Sequence, residues 1–167
     1  ILLMIAVVAL VGCGESKNGK PLKKLTAKEA TEVMAWEIGT WEVKGRGMPA
    51  GGEPHAIEMT MEARWKEAGK SVEYKFTMEE SGKTVSYFGH KKYDADKGIF
   101  IYRSKWGENP ETTSHERYNP NTQTFYSESL PATPPTGIKS TAITKRIEDD
   151  KTEQKLEVRD GDRLVYS

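Results

Sequence analysis

The chain has 167 residues, with 25 Lys+Arg against 25 Asp+Glu, so its formal net charge is zero. That balance argues against nucleic acid as the main partner. One cysteine permits no intrachain disulfide, so packing rather than cross-linking must hold the fold.

The chain opens on "ILLMIAVVALVG". Crossing a bilayer as a helix takes roughly 20 apolar residues, about twice this run. The run fits the apolar region of a secretory signal peptide, usually about 7–15 residues followed by small ones. The charged start expected before it is missing, as is an initiator methionine, so the chain is read as beginning inside the signal peptide. Leu10-Val11-Gly12-Cys13 resembles the bacterial lipobox in all four positions. The resemblance implies cleavage before Cys13, a diacylglyceryl group on its thiol and acylation of its new amino group. Two or more acyl chains anchor stably where one binds only marginally. The competing reading, a structural cysteine ending a core helix, conflicts with the polar "ESKNGK" close behind it. Gly14 stands where an aspartate would signal inner-membrane retention. The resemblance thus implies the outer membrane, facing the periplasm, in a diderm host.

Residues 1–12 are therefore read as signal peptide and 13–24 as lipidated cysteine plus tether. Residues 25–167 form the domain, a length that suits one core. In "GESKNGKPLKK", Gly19 and Pro21 break regular structure. Lys17, Lys20, Lys23 and Lys24 would each favour anionic headgroups by about 1 kcal/mol at best. A solvated spacer is the simpler reading.

"LTAKEATEVMAWEIG" predicts one short helix. Thr26 and Glu29 have the spacing of a capping box. Ala27, Ala30, Val33, Met34 and Ile38 recur at helical intervals, and Gly39 ends the element.

From Thr40 the period changes to two. Ile57, Met59, Met61, Ala63 and Trp65 share one face of a strand. Val72, Tyr74, Phe76 and Met78 share one face of the next. The turns "EAGKS", "EESGKT", "DADKG", "NPNTQ", "EDDKT" and "RDGDR" recur about every 8–12 residues, as in a sandwich or barrel. Strands are expected over 40–46, 56–66, 71–79, 84–93, 98–106, 112–118, 123–129, 138–147, 152–159 and 163–167. The fold class is all-β: an antiparallel meander of about nine or ten strands, preceded by one short α-helix and closed into a barrel to hide its edges. About eight strands or slightly more leave an interior filled by side chains or holding one small ligand.

"EIGTWEV" at residues 37–43 resembles the opening of calycin and lipocalin-like barrels. That resemblance places Gly39 and Trp41 at the barrel base, with an arginine from a late strand, Arg146 or Arg159, over the tryptophan. "GHKKYDADKGIFIYRSKW" and "NPNTQTFY" are similar to a bacterial barrel family of unknown function, in which a glycine leading into Tyr-Asp recurs near mid-chain. The likeness covers roughly residues 33–167 and carries no catalytic residue with it.

Several motifs fail on inspection. "AGKS" and "SGKT" end like phosphate-binding loops, but their leading glycine positions hold Arg64 and Thr77, and no helix follows. Asp94 and Asp96 start like a calcium loop, but Gly98 stands at the third ligand position and no closing glutamate follows, so Asp94 is read as capping its own turn. His55, His90 and His115 have no paired-ligand spacing. His90 and His115 fall mid-strand, and the simpler reading puts them on the surface. No nucleophile elbow is present. An enzyme is not expected; it would need a buried carboxylate or histidine in a pocket. No cofactor or metal is expected.

Two functions remain. The first is a lipid-anchored envelope protein whose barrel binds a small, partly apolar ligand, lined by Met59, Met61, Tyr74, Phe76 and Ser127. The small inward candidates Ser127, Ser129, Ser140 and Ala142 would leave its middle partly hollow and polar. The second is a structural or protein-interaction lipoprotein with a filled barrel that meets an envelope partner. The Pro-rich "SLPATPPTGI" is read as a simple link between strands.

Overall fold

The computed structural model describes residues 22–105, 107, 110–130 and 137–167, and residues 2–5 as backbone only. The lipobox with Cys13, most of the tether, Trp106 and the middle of the Pro-rich link lie outside the described residues.

Helix α1 spans Ala27–Glu37 and forms as its cap predicts. The Glu29 N–H donates to Thr26 Oγ1 at 3.2 Å, and the Thr26 N–H donates to Glu29 Oε2 at 2.6 Å. Each bond satisfies an amide that the helix itself leaves open. Ala30 and Met34, on one helical face, are buried.

The rest is an all-β meander. Its antiparallel strands are β2 (Gly39–Gly47), β3 (His55–Glu67), β4 (Ser71–Glu80), β5 (Lys83–Asp94), β6 (Ile99–Lys105), β7 (Thr112–Asn119), β8 (Thr124–Ser129), β9 (Ile138–Glu148), β10 (Lys151–Asp160) and β11 (Arg163–Tyr166). Each pairs with the next, and together they form a nearly closed barrel. The turns follow the sequence signals. Ser81 and Gly82, both at positive φ, join β4 to β5 as a tight hairpin, and Gly69 at φ 71° serves the turn before it. Asp94 Oδ1 accepts the Lys97 N–H at 3.1 Å, so this aspartate caps its own turn. Both loops that imitate phosphate binding are hairpin turns.

One strand was not expected. Residues Leu2–Ile5, within the apolar run, form β1 and pair parallel to β2 from Leu2↔Trp41 to Ile5↔Lys44. The reason is an open edge: β2 starts the meander, and its unpaired amides and carbonyls accept an extended apolar segment. At the other end the seam is stitched by backbone bonds. Met48 and Ser167 exchange N–H···O bonds of 2.8 and 3.1 Å, and the Ala50 N–H donates to Val165 O at 2.9 Å.

The core sits at one end. Trp41, Met61, Ala63, Val72, Tyr74, Phe100 and Phe125 pack with Leu25, Ala30 and Met34 into one buried cluster. All lie where even-numbered strands begin and odd-numbered strands end, so α1 plugs that end. The inward register continues beyond them. Met59 pairs with Val43 and Met78, and Ser127 pairs with Glu116 and Ala142. Met59, Phe76, Met78, Tyr87, Ser114, Ser127, Ser129, Ser140 and Ala142 are only half-buried. Toward the second end the inward residues are thus less buried, although Gly47, Ser104 and Ser167 there are buried.

Candidate functional site

The site begins where α1 stops. Glu37 is the last helical residue. Trp41 fixes the backbone there, its indole N–H donating to Glu37 O at 2.9 Å. Trp41 itself is 1% exposed. Gly39, at φ 141°, makes the turn between helix and strand.

Period-two geometry then brings charge inside. On β5 the inward positions are Val85, Tyr87, Gly89, Lys91 and Tyr93, since Lys91 pairs with the buried Val72. On β7 they are Thr112, Ser114, Glu116 and Tyr118, since Glu116 pairs with the buried Phe100. Lys91 is therefore 5% exposed and Glu116 8%. The Lys91 ammonium donates to Glu37 Oε1 at 2.7 Å. It also lies 2.8 Å from Glu116 Oε2. Tyr74 donates its hydroxyl to Glu37 Oε2 at 2.6 Å.

Aromatic rings complete the enclosure. Lys91 Nζ stands 4.4 Å from the Phe125 ring centroid, 5.7 Å from Tyr74 and 6.0 Å from Tyr102. Each face offers negative quadrupole to the cation. Tyr102 fits because Gly89 opposes it across one position: a β-carbon at residue 89 would lie 2.5 Å from the Tyr102 hydroxyl.

The electrostatics follow from burial. Desolvation acts to lower the Lys91 pKa, but the Glu116 and Glu37 carboxylates outweigh it and hold the ammonium well above the ordinary lysine range. Lys91 is thus held as a cation between the two carboxylates. Burial raises the Glu116 carboxyl above its usual value, against the opposing pull of Lys91. Burial also pushes the Tyr74 phenol well up, with Glu37 adding to it. Two carboxylates share one ammonium, so the site carries an excess negative charge or holds a proton.

The residues singled out from the sequence divide between two places. Met61 and Tyr74 belong to the buried cluster, and Phe76 packs against it. Met59 and Ser127 line the open half. All five share the inward register. His90 and His115 have the opposite register to Lys91 and Glu116 and stand on the outer face, while His55 is exposed beside Tyr166. Among the described residues no cluster of His, Cys, Asp and Glu has a metal-binding arrangement.

The late-strand arginine is a correction. Arg146 does reach the barrel base, but its guanidinium lies 4.8 Å from the ring centroid of Trp36, not over Trp41. Trp36 meets Trp41 edge-on at 5.3 Å. Trp41 is sealed beneath the helix, so the cation stacks on the tryptophan that the helix holds outside. Arg159 bonds to Glu157 and Asp162 instead.

The sequence reading missed Glu37, Lys91, Glu116 and Tyr102. A weak signal was present in β5 alone, where Val85, Tyr87 and Tyr93 share the parity of Lys91.

No helix among the described residues is long and apolar enough to cross a membrane. Comparison with protein families, curated proteins and solved structures found no match for this chain.

Proposed function

We propose that this chain is a lipid-anchored protein of the bacterial envelope, with a calycin-like barrel that binds a small, partly apolar ligand. One observation carries the reading. Inward residues of the open half are half-buried, and beneath them lies a floor of buried charge and aromatic rings. Small-molecule sites usually combine apolar walls with a few convergent polar groups. Met59 and Phe76 supply apolar wall, Ser127 supplies a hydroxyl, and Tyr74 belongs to the floor. Met61 acts below them as packing.

The lipobox around Cys13 supports the anchor, and cleavage there would remove Leu2–Ile5, so the mature protein would lack β1. Replacing Cys13 by serine is expected to abolish lipid labelling and leave the precursor uncleaved. Normal processing and membrane retention in that variant would remove the anchoring claim.

The test of binding is native mass spectrometry on protein purified from its own membrane without denaturation. A reproducible adduct of small-molecule mass supports a carrier or sensor. A bare polypeptide mass under every gentle condition supports the second reading, an interaction protein with a filled barrel. That reading has its own observation: Tyr126 and Ile143 pair across β8 and β9 on the outer face, 40% and 44% exposed.

A further inference from the structure

We propose that the outer face of β3–β6 lies against an anionic phospholipid surface, with Phe88 at its centre and Lys66, Lys92 and Lys105 around it. This rests on the lipid-anchor reading above and adds to it the face presented and the headgroup charge it requires.

Strand pairing builds the face. The parity that sends Val72, Tyr74 and Lys91 inward sends their neighbours out. Arg64, Glu73, His90 and Arg103 therefore form one cross-strand row, and Glu62, Lys75, Phe88 and Lys105 form the next. The acidic members are already matched. Arg64 pairs with Glu73, Arg103 pairs with Glu111, and Glu62 stands opposite Lys75. Among the described residues, Lys66, Lys92 and Lys105 have no such partner, and all three are exposed. The face thus keeps an excess of positive charge on a chain whose formal net charge is zero. His90 feels that excess. Burial lowers its pKa first, and Lys66, Arg103 and Lys92 lower it further against the opposing pull of Glu111.

The shape suits a headgroup layer. Phe88 is 57% exposed, more than any other large apolar side chain among the described residues. At a bilayer surface its ring can enter the acyl boundary while the neighbouring ammonium groups stay level with the headgroups. Beside it lies a hollow of about 480 Å³, lined in part by Arg64, Lys66, Lys75, Phe88 and His90. That hollow has room for a phosphate headgroup among its cations.

The attachment of the chain selects the same face. The Lys24 ammonium donates to Asp96 O at 2.7 Å in the β5–β6 turn, and the Tyr93 hydroxyl donates to Leu25 O at 2.7 Å. The residues that follow the tether are therefore held at the foot of β5 and β6. From there α1 crosses the barrel end, and the Trp36 N–H donates to Asp149 O at 3.0 Å between β9 and β10. Glu148, Asp149 and Asp150 stand at that far side, where an anionic surface would repel them. Attraction of lysines to anionic lipid is roughly additive and fades within a Debye length, so the basic side settles nearest the bilayer.

The test reconstitutes the lipidated protein, purified from its own membrane, into nanodiscs of phosphatidylcholine alone or mixed with phosphatidylglycerol. Acetylation of each lysine by an amine-reactive reagent is followed by mass spectrometry. Lys66, Lys92 and Lys105 are expected to react about threefold more slowly in the anionic discs, and added salt should shrink the difference. Lys139 and Lys145, exposed on β9, are expected to react equally in both. In the double variant Lys66→Glu, Lys105→Glu, Lys92 should return to its rate in neutral discs. Equal labelling of the three lysines in the two kinds of disc overturns the proposal and leaves the anchor standing. Protection that extends equally to Lys139 and Lys145, or that persists at Lys92 in the double variant, overturns it as well. A protein that enters neither disc removes the anchor and the proposal together.

Discussion

The helix-plugged half and the open half of this barrel are made from the same strands but hold their shape by different means. At the plugged end, Trp41, Val72 and Phe100 are almost fully buried, and α1 covers them. At the open end the inward positions are Met59, Ser114, Ser127, Ser129 and Ser140, none of them fully buried. There backbone pairing such as the Met48–Ser167 stitch is joined by only local side-chain contacts, Tyr166 beside Gly47 and Ser104 with Thr112. Stability is thus concentrated at one end, which frees the other to be polar and accessible. The charged cluster lies at the boundary, where packing can hold a lysine and two glutamates in fixed positions.

The largest expected difference tests that division directly. Trp41→Ala should cost about 3–5 kcal/mol, as expected for truncating a buried aromatic side chain. Met59→Ala should cost well under half as much, because its site already meets solvent. Urea unfolding of both variants measures the gap, and equal losses would mean that the open half is packed after all. Lys91→Met comes next. It leaves Glu37 and Glu116 facing each other without a cation, and breaking a buried ion pair in this way costs about 3–5 kcal/mol. A Lys91→Met protein as stable as the parent would show that the boundary cluster plays no part in holding the barrel.

A smaller effect depends on pH. Glu116 has a folded-state pKa above its unfolded one, because burial disfavours the carboxylate. The folded state therefore gains from binding that proton. The gain is complete below the unfolded value near pH 4 and is lost as pH rises through the raised folded value. Glutamine has no proton to lose. The melting temperature of Glu116→Gln relative to the parent should therefore rise steadily from about pH 4 toward neutrality. A constant margin across that range would place the proton elsewhere. The smallest change lies in neither half but in a hairpin tip. Ser81 sits at φ 53°, where a side chain is strained. Ser81→Gly should raise stability by about 0.5–1 kcal/mol, readable as a small rise in the unfolding midpoint.

Much of the fold was legible because its signals are local. The Thr26–Glu29 box marks the start of α1, and the Ser81-Gly82 and Asp94 turns mark hairpins, since each depends on residues within reach along the chain. The alternation of Met59, Met61 and Ala63 identifies an inward face for the same reason. Strand β1 was not legible. An apolar run says that it avoids water, and the edge it finds is set by where the meander begins.

The site divides along the same line. The sequence by itself determined the all-β meander and the capped helix, because helix and strand periods follow from the backbone. Only the tertiary structure decided that Glu37, from a helix end, would meet Lys91 and Glu116 from two strands. It likewise put Arg146 on Trp36 rather than Trp41. Closing the sheet brings together residues as far as 79 positions apart in number, from 37 to 116. Burial then turns surface-type residues into a charged floor. No local pattern encodes that meeting, because it depends on the shear and closure of the whole barrel.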